Sequence, residues 1–215
     1  MKTPRWPVVI FDLDGTVANT IPLILASYTH AVQHVLGHTV APEQGRRWIG
    51  RTLIDTFTEL DGARADDLVA TYTEWNLANL ERLIEPYEGM DELLADLTAA
   101  GVRIGIATSK RRFSALTTLR AVHLEDAIPL LAAMEDTAVH KPHPEPLLVA
   151  LRALAANASE AVYVGDAVVD LQAAHAAGLA AIAVTWGAGT AEELAAENPE
   201  LVVTSIADLR SALLP

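Results

Sequence analysis

The run Val8-Val9-Ile10-Phe11-Asp12-Leu13-Asp14-Gly15-Thr16 sets two carboxylates two residues apart, where an apolar, β-branched stretch breaks into a glycine turn. Taking even one carboxylate out of water costs several kcal/mol, on the order of a domain's whole stability margin. A pair at a buried strand end therefore calls for a compensating cation, and a bound divalent metal would supply it. Two carboxyls so placed suit a two-step group transfer. One acts as a covalent nucleophile, which splits a difficult displacement into two easier ones. The other protonates the leaving oxygen and later activates water. Leu13, between them, belongs to the opposite face of the strand and serves packing. The competing reading is structural: Asp12 and Asp14 as helix caps or solvated turn acids beside Gly15.

Four more polar residues, Thr108, Lys141, Asp166 and Asp170, follow at or just beyond the ends of later apolar runs. Three of them have a structural alternative. Lys141 before Pro142 would serve as a solvated loop charge, Asp166 as a turn residue after a strand, and Asp170 as a first-turn acid complementing a helix dipole.

The elements that must position these groups are legible as period. Short β-branched runs at Val8 to Phe11, Val102 to Ala107, Ile128 to Leu131, Ala161 to Gly165 and Ala181 to Thr185 read as parallel strands. Helical faces lie between the later ones: Met90, Leu93, Leu94 and Leu97 mark one, and Leu147, Leu148, Leu151 and Leu154 another. Gly101 and Gly178 stand where those helices should stop. The alternation predicts an α/β core with a doubly wound, Rossmann-like parallel sheet. In such sheets the ligand crevice lies outside the carboxyl ends of the strands, where Asp12, Thr108, Lys141 and Asp166 fall.

Residues 18–84 carry helical patterning with few strand signals and include Trp48, Tyr72 and Trp75. They read as an inserted helical cap, with 1–17 and 85–215 forming the core. Asp14-Gly15-Thr16 on one side and Glu85-Pro86-Tyr87-Glu88-Gly89 on the other read as hinges on which a cap can open and close.

A chain of 215 residues with 51% hydrophobic content can bury a full core. Its formal net charge of −13 argues against nonspecific binding to nucleic acid or anionic membrane and favours metal ions and small molecules as partners. The absence of cysteine excludes disulfides and thiolate chemistry. The apolar stretch before Asp12 is too short for a signal segment, and no run reaches the length of a membrane span. The expected location is the cytoplasm, as a monomer or homodimer.

Four motifs, in order, are FDLDGT from Phe11 to Thr16, IATSK through Thr108, HKPHPEP around Lys141, and GDAVVD from Gly165 to Asp170. Together they resemble the haloacid dehalogenase-like (HAD) hydrolase superfamily over essentially the whole chain. The resemblance implies Asp12 as the nucleophile that becomes an aspartyl phosphate and Asp14 as acid and base. Thr108 and Lys141 would stabilise the transferring group as a hydroxyl donor and a point charge. It also implies Mg²⁺, held by Asp12, the backbone carbonyl of Asp14, and Asp166, with Asp170 supporting the metal or Lys141. Four aspartates and a phosphate dianion crowd badly, since like charges about 4 Å apart repel by roughly 4 kcal/mol at an effective dielectric near 20. Mg²⁺ and Lys141 are the relief.

Arg46, Arg47 and Arg51 cluster around Trp48-Ile49-Gly50, and Arg51, which follows a glycine, is the specificity candidate for the anionic remainder of a phosphate ester. Gly15, Ser109 and Lys110 complete the expected substrate contacts. Arg111 and Arg112 stand where a helix should begin, against its macrodipole, which an anion bound nearby would explain. Gly187 and Gly189 read as a turn. Ala167 stands where the family commonly has Ser or Thr, and Asn19 where a longer family pattern often has Asp. IGRTLIDTF in the cap and VTWGAGTAEEL near the C-terminus look most like phosphoglycolate phosphatases and related pyrophosphatases. The implied function is a Mg²⁺-dependent phosphatase of a small phosphorylated metabolite, either a phosphoglycolate-like monoester or pyrophosphate. The alternatives are a phosphosugar mutase of the β-phosphoglucomutase type and a non-catalytic phosphate sensor.

Overall fold

The structure, a computed structural model, describes residues 4–214. The chain opens with β1 (Val8–Phe11) and β2 (Ala18–Asn19), then runs through α1 (Ile21–Leu36), α2 (Pro42–Trp48), α3 (Leu53–Asp61) and α4 (Ala65–Leu83) to β3 (Glu85–Pro86). It continues with α5 (Met90–Ala99), β4 (Arg103–Ala107), α6 (Arg112–Ala121), β5 (Leu130–Ala132), α7 (Glu145–Ala153) and β6 (Ala161–Gly165). The last elements are α8 (Val168–Ala176), β7 (Ala180–Val184), α9 (Ala191–Ala196), β8 (Leu201–Val203) and α10 (Ile206–Leu213).

Six strands form one parallel sheet in the order β5-β4-β1-β6-β7-β8. The chain builds outward from β1 to one edge and then returns to lay β6 against its other side. That reversal puts the ends of β1, β4 and β6 at the switch point where open α/β sheets take ligands. Alternate residues of β1 serve two cores, as a strand buried on both faces requires. Val9 and Phe11 pack with Leu93, Leu94 and Leu97 of α5, and Val8 and Ile10 with Leu147 of α7 and Leu171 of α8.

The four helices between β2 and β3 have an apolar cluster of their own, in which Tyr28, Trp48, Phe57, Leu68 and Tyr72 are buried. The two connections to the sheet are tied together, since Ala18 pairs with Pro86 and Asn19 with Glu85 in a short antiparallel ribbon.

Three details depart from expectation. The fifth strand begins at Leu130, because Ile128 is spent on the core beneath the sheet and the register with β4 shifts between Ile106 and Ala107. The edge strand β8 went unread, three residues being too few to show a period. The β2–β3 ribbon has no local signal, since two-residue strands exist only through their partner. Among the described residues no helix is long and apolar enough to cross a membrane.

Candidate active site

Asp12 stands one residue past β1, and its N–H still donates to Val164 O on β6 at 2.9 Å, so the ladder fixes its position. Lys141 arrives from the loop before α7. Its Nζ donates to Asp12 Oδ1 (2.8 Å), Asp170 Oδ1 (2.6 Å) and the Tyr163 hydroxyl (3.1 Å). An ammonium has three donors, and here each has an acceptor. The buried Tyr163 hydroxyl in turn donates a hydrogen bond to Ala107 O at 2.8 Å. Asp170, in the first turn of α8, also accepts from Ala167 N at 3.0 Å through its second oxygen. Asp166, just past β6, accepts from Thr16 Oγ1 (2.8 Å) and Ala188 N (2.7 Å).

Oxygens of Asp12, Asp166 and Asp170 lie within 4.8 Å of one another, all three residues being buried. Burial is the largest influence on Asp12 and pushes its carboxyl up to about 7, against the pull of Lys141 and with the push of Asp170 and Asp14. Asp166 is pushed well above the carboxylate range by burial and then by Asp170 and Asp12. Burial opposes the charge on Lys141, but Asp12 and Asp170 outweigh it and hold the ammonium well above its ordinary range. One cation thus answers to two carboxylates, while Asp166 has neutral donors only.

This donor set suits a divalent cation that prefers hard oxygens. Among the described residues no protein donor reaches Asp12 Oδ2, and Asp166 lacks a cationic partner. Asp170 differs from Asp166 in sharing the Lys141 ammonium at 2.6 Å, so its charge is already answered and its observed part here is to hold Lys141. Mg²⁺, which takes one or two carboxylates and keeps waters, fits Asp12 and Asp166. Gly187 is required by this packing, since a Cβ there would run into the Asp166 carboxyl. The turn that sequence reading saw in Gly187 and Gly189 closes on Asp166, whose carbonyl accepts from Gly189 N at 2.8 Å.

Above this floor, a cavity of about 90 Å³ separates the sheet from the helical insertion. Asp12, Asp14, Thr108, Ser109 and Lys110 face it from the core. The Asp14 carboxylate lies outside the buried triad and pairs with Lys110 Nζ at 2.7 Å. Thr108 is buried and its Oγ1 accepts from Lys110 N at 3.2 Å. The hydroxyl of Ser109 is buried without a hydrogen-bond partner, an unused donor on the cavity wall. Arg51 lines the cavity from the insertion, with its guanidinium on Glu59 at 2.6 Å.

The structure thus brings together Asp12, Lys141, Asp166 and Asp170, and sets Asp14, Thr108, Ser109, Lys110 and Arg51 around the cavity. Gly15 is not among the lining residues. Its N–H is spent on Ala18 O at 2.9 Å and its carbonyl accepts from the Tyr87 hydroxyl at 3.3 Å. The anion invoked for Arg112 is supplied by the protein: Glu135 accepts from its N–H and Asp136 from its guanidinium. Ala167 has a tertiary reason. Gly50 of the insertion, at φ +87°, comes so close that a Cβ on it would lie 3.0 Å from that of Ala167, and a larger residue at 167 would press on the contact. Sequence reading missed Tyr163, Thr16 and the Ala188 N–H. Tyr163 carries no local signal of its role, being one aromatic in an apolar strand. Thr16 sits in a motif that was recognised, and only its partner was unknown.

The family model described as haloacid dehalogenase-like hydrolase matches residues 9–184. A pyrophosphatase PpaX from Bacillus pumilus is 34% identical over 201 residues, covering 94% of this chain and 93% of its own. A PpaX from Anoxybacillus flavithermus is 33% identical over 205 residues, covering 95% of each. A Bacteroides fragilis structure described as a haloacid dehalogenase-like hydrolase superposes with a TM-score of 0.87 at 29% identity, over 95% of this chain and 99% of that one. With the parallel sheet, the buried acids at its switch point and a match spanning most of the sequence, the chain belongs to the haloacid dehalogenase-like hydrolases.

Proposed function

We propose that this hydrolase is a Mg²⁺-dependent phosphatase of a small phosphorylated metabolite, working through an aspartyl phosphate on Asp12. The observation that carries the reading is the buried Lys141 ammonium holding Asp12 and Asp170 at once, beside a small cavity that Asp12 and Asp14 both face. Asp12 attacks phosphorus while Asp14 gives a proton to the departing oxygen. Asp14 then takes a proton from the water that hydrolyses the acyl phosphate. Lys141 orients Asp12 and offsets charge on the phosphoryl oxygens, and the unpartnered Ser109 hydroxyl and Thr108 are donors within reach of the same group. Asp12 and Asp166 would hold Mg²⁺, which when bound neutralises their charge and polarises a phosphoryl oxygen. The PpaX relatives support phosphate transfer to water as the outcome, with pyrophosphate and phosphoglycolate-like esters as first substrates to test.

The test is phosphate release from pyrophosphate, phosphoglycolate and sugar phosphates, with and without Mg²⁺, using Asp12→Asn as control. Mg²⁺-dependent release that falls on the order of 10⁴-fold or more in the variant is expected. Wild-type rates from Asp12→Asn would remove Asp12 as nucleophile.

A further inference from the structure

The cavity has two unlike ends. The core end carries Asp12, Asp14, Thr108 and the unpartnered Ser109 hydroxyl. The insertion faces it with Ile24, Ile49, Leu53, Ile54, Val69 and Tyr72, drawn from α1, the α2–α3 connection, α3 and α4. Cations along the lining are mostly spent: Arg51 on Glu59 and Lys110 on Asp14, leaving Arg111. The Asn76 amide, also on the lining, donates to Ser27 Oγ at 2.9 Å.

One exposed apolar side chain belongs to this wall. Exposed large apolar side chains include Ile54 (36% exposed), Phe113 (66%) and Val139 (42%). Ile54 lines the cavity itself, and Phe113 lies between the lining residues Arg111 and Ser114 on the first turn of α6. Val139 lines a separate cleft together with Asp55, the neighbour of Ile54. An exposed apolar side chain such as Ile54 on an otherwise apolar cavity wall favours carbon over charge.

We infer that the substrate is a phosphate monoester of an uncharged, carbon-rich alcohol, with the alcohol seated against the Ile24–Tyr72 wall. The inference rests on the phosphatase reading and narrows it. The phosphate departing from pyrophosphate carries about two charges, and the carboxylate of phosphoglycolate one; neither meets a free cation on that wall. In the proposed reaction the ester P–O bond breaks as the bond from Asp12 to phosphorus forms. The leaving oxygen takes the Asp14 proton and departs as the alcohol. Water then releases inorganic phosphate and returns a proton to Asp14.

The experiment measures kcat/KM with Mg²⁺ for methyl, ethyl, propyl, butyl and benzyl phosphate beside pyrophosphate and phosphoglycolate. The alkyl and benzyl leaving groups are all alkoxides, so the series reads burial of carbon more than leaving-group chemistry. Each added methylene is expected to raise kcat/KM about fourfold until the cavity is filled, with butyl and benzyl phosphate more than tenfold above pyrophosphate. Ile54→Arg, at a partly exposed position, is expected to flatten the series and raise the two anionic substrates. A flat wild-type series with pyrophosphate or phosphoglycolate ahead would overturn the inference and leave the phosphatase standing. No Mg²⁺-dependent release from any of them would overturn both. The wild-type series decides the matter even if Ile54→Arg fails to fold.

Discussion

On the core side of the cavity, one ammonium reaches three oxygens at 2.6 to 3.1 Å; Tyr163 and Asp170 are each fixed by a further bond to backbone, and Asp12 by its own N–H on the strand ladder. On the insertion side, Tyr28 meets Trp48 at 5.1 Å and Phe57 at 5.7 Å, edge to face, and Tyr72 at 5.0 Å, and the wall beside them is aliphatic. Both sides are buried, but they answer to different physics. A buried polar network is directional, and losing one member strands the others with uncompensated charge. An apolar wall is held by area and volume, so exchanges of similar size cost little. The floor therefore tolerates almost no change, while the roof can be retuned residue by residue. Under the proposed function this assigns the chemistry to the sheet and the choice of substrate to the helices.

The comparison breaks most sharply at Lys141. Lys141→Met leaves Asp12, Asp166 and Asp170 facing one another without a cation, and the folded state is expected to lose about 3 to 5 kcal/mol. Thermal denaturation should show a fall on the order of 10 °C, partly restored by adding Asp170→Asn. A midpoint unchanged by Lys141→Met would mean the floor is not held as described.

Asp14→Asn separates chemistry from stability. Asp14 is outside the triad, and an amide at the same place still offers its oxygen to Lys110, so phosphate release should drop by about 10²- to 10⁴-fold while the denaturation midpoint moves far less than in Lys141→Met. Equal losses in both would place Asp14 within the structural network.

The pH dependence follows from the direction of the carboxyl shifts. Asp12 holds its proton to about 7 in the metal-free fold, and Asp166 is raised as well, against an ordinary value of 3.8. The folded state then keeps protons that the unfolded chain has released, so metal-free stability should decline as pH rises from about 4 through 7. Mg²⁺ competes with those protons, and the midpoint increase it gives should grow by several degrees between pH 5 and pH 8. An increase independent of pH would detach the metal from these carboxyls.

The smallest effect belongs to the roof. The Arg51–Glu59 pair is partly exposed, and Arg51→Ala should cost no more than about 1 kcal/mol of stability. With Arg51 held on Glu59, the ranking among anionic and neutral substrates should stay as it is, at an unchanged metal requirement. A loss confined to the anionic substrates would mean that Arg51 leaves Glu59 to meet them.

The floor was the more legible of the two regions. Asp12, Asp14, Thr108, Lys141, Asp166 and Asp170 were readable because each lies at a strand end or helix start, where a polar residue interrupts an apolar run and its neighbours form short motifs. What those motifs left open was the division of labour. Asp170 is shared between metal and lysine in the sequence reading; its oxygens bond Lys141 and Ala167, and it lies close enough to Asp12 and Asp166 to leave both parts standing. The roof gave far less away, because apolar residues at helical spacing look alike whether they face a core or a cavity. Ile24, Val69 and Tyr72 show helical period and nothing more.

The sequence by itself determined the parallel α/β core, the helical stretch within it and the acids at the strand ends, because period and motif are local properties of the chain. Only the tertiary structure decided that Tyr163 would sit beneath Lys141, that Gly187 would admit the Asp166 carboxyl, and that Gly50 would close on Ala167. These are contacts between residues 21 to 117 positions apart, and no local pattern encodes which surfaces meet once the strands are ordered. The same ordering left one cation among three buried carboxylates, and the proposed function rests on that imbalance of charge.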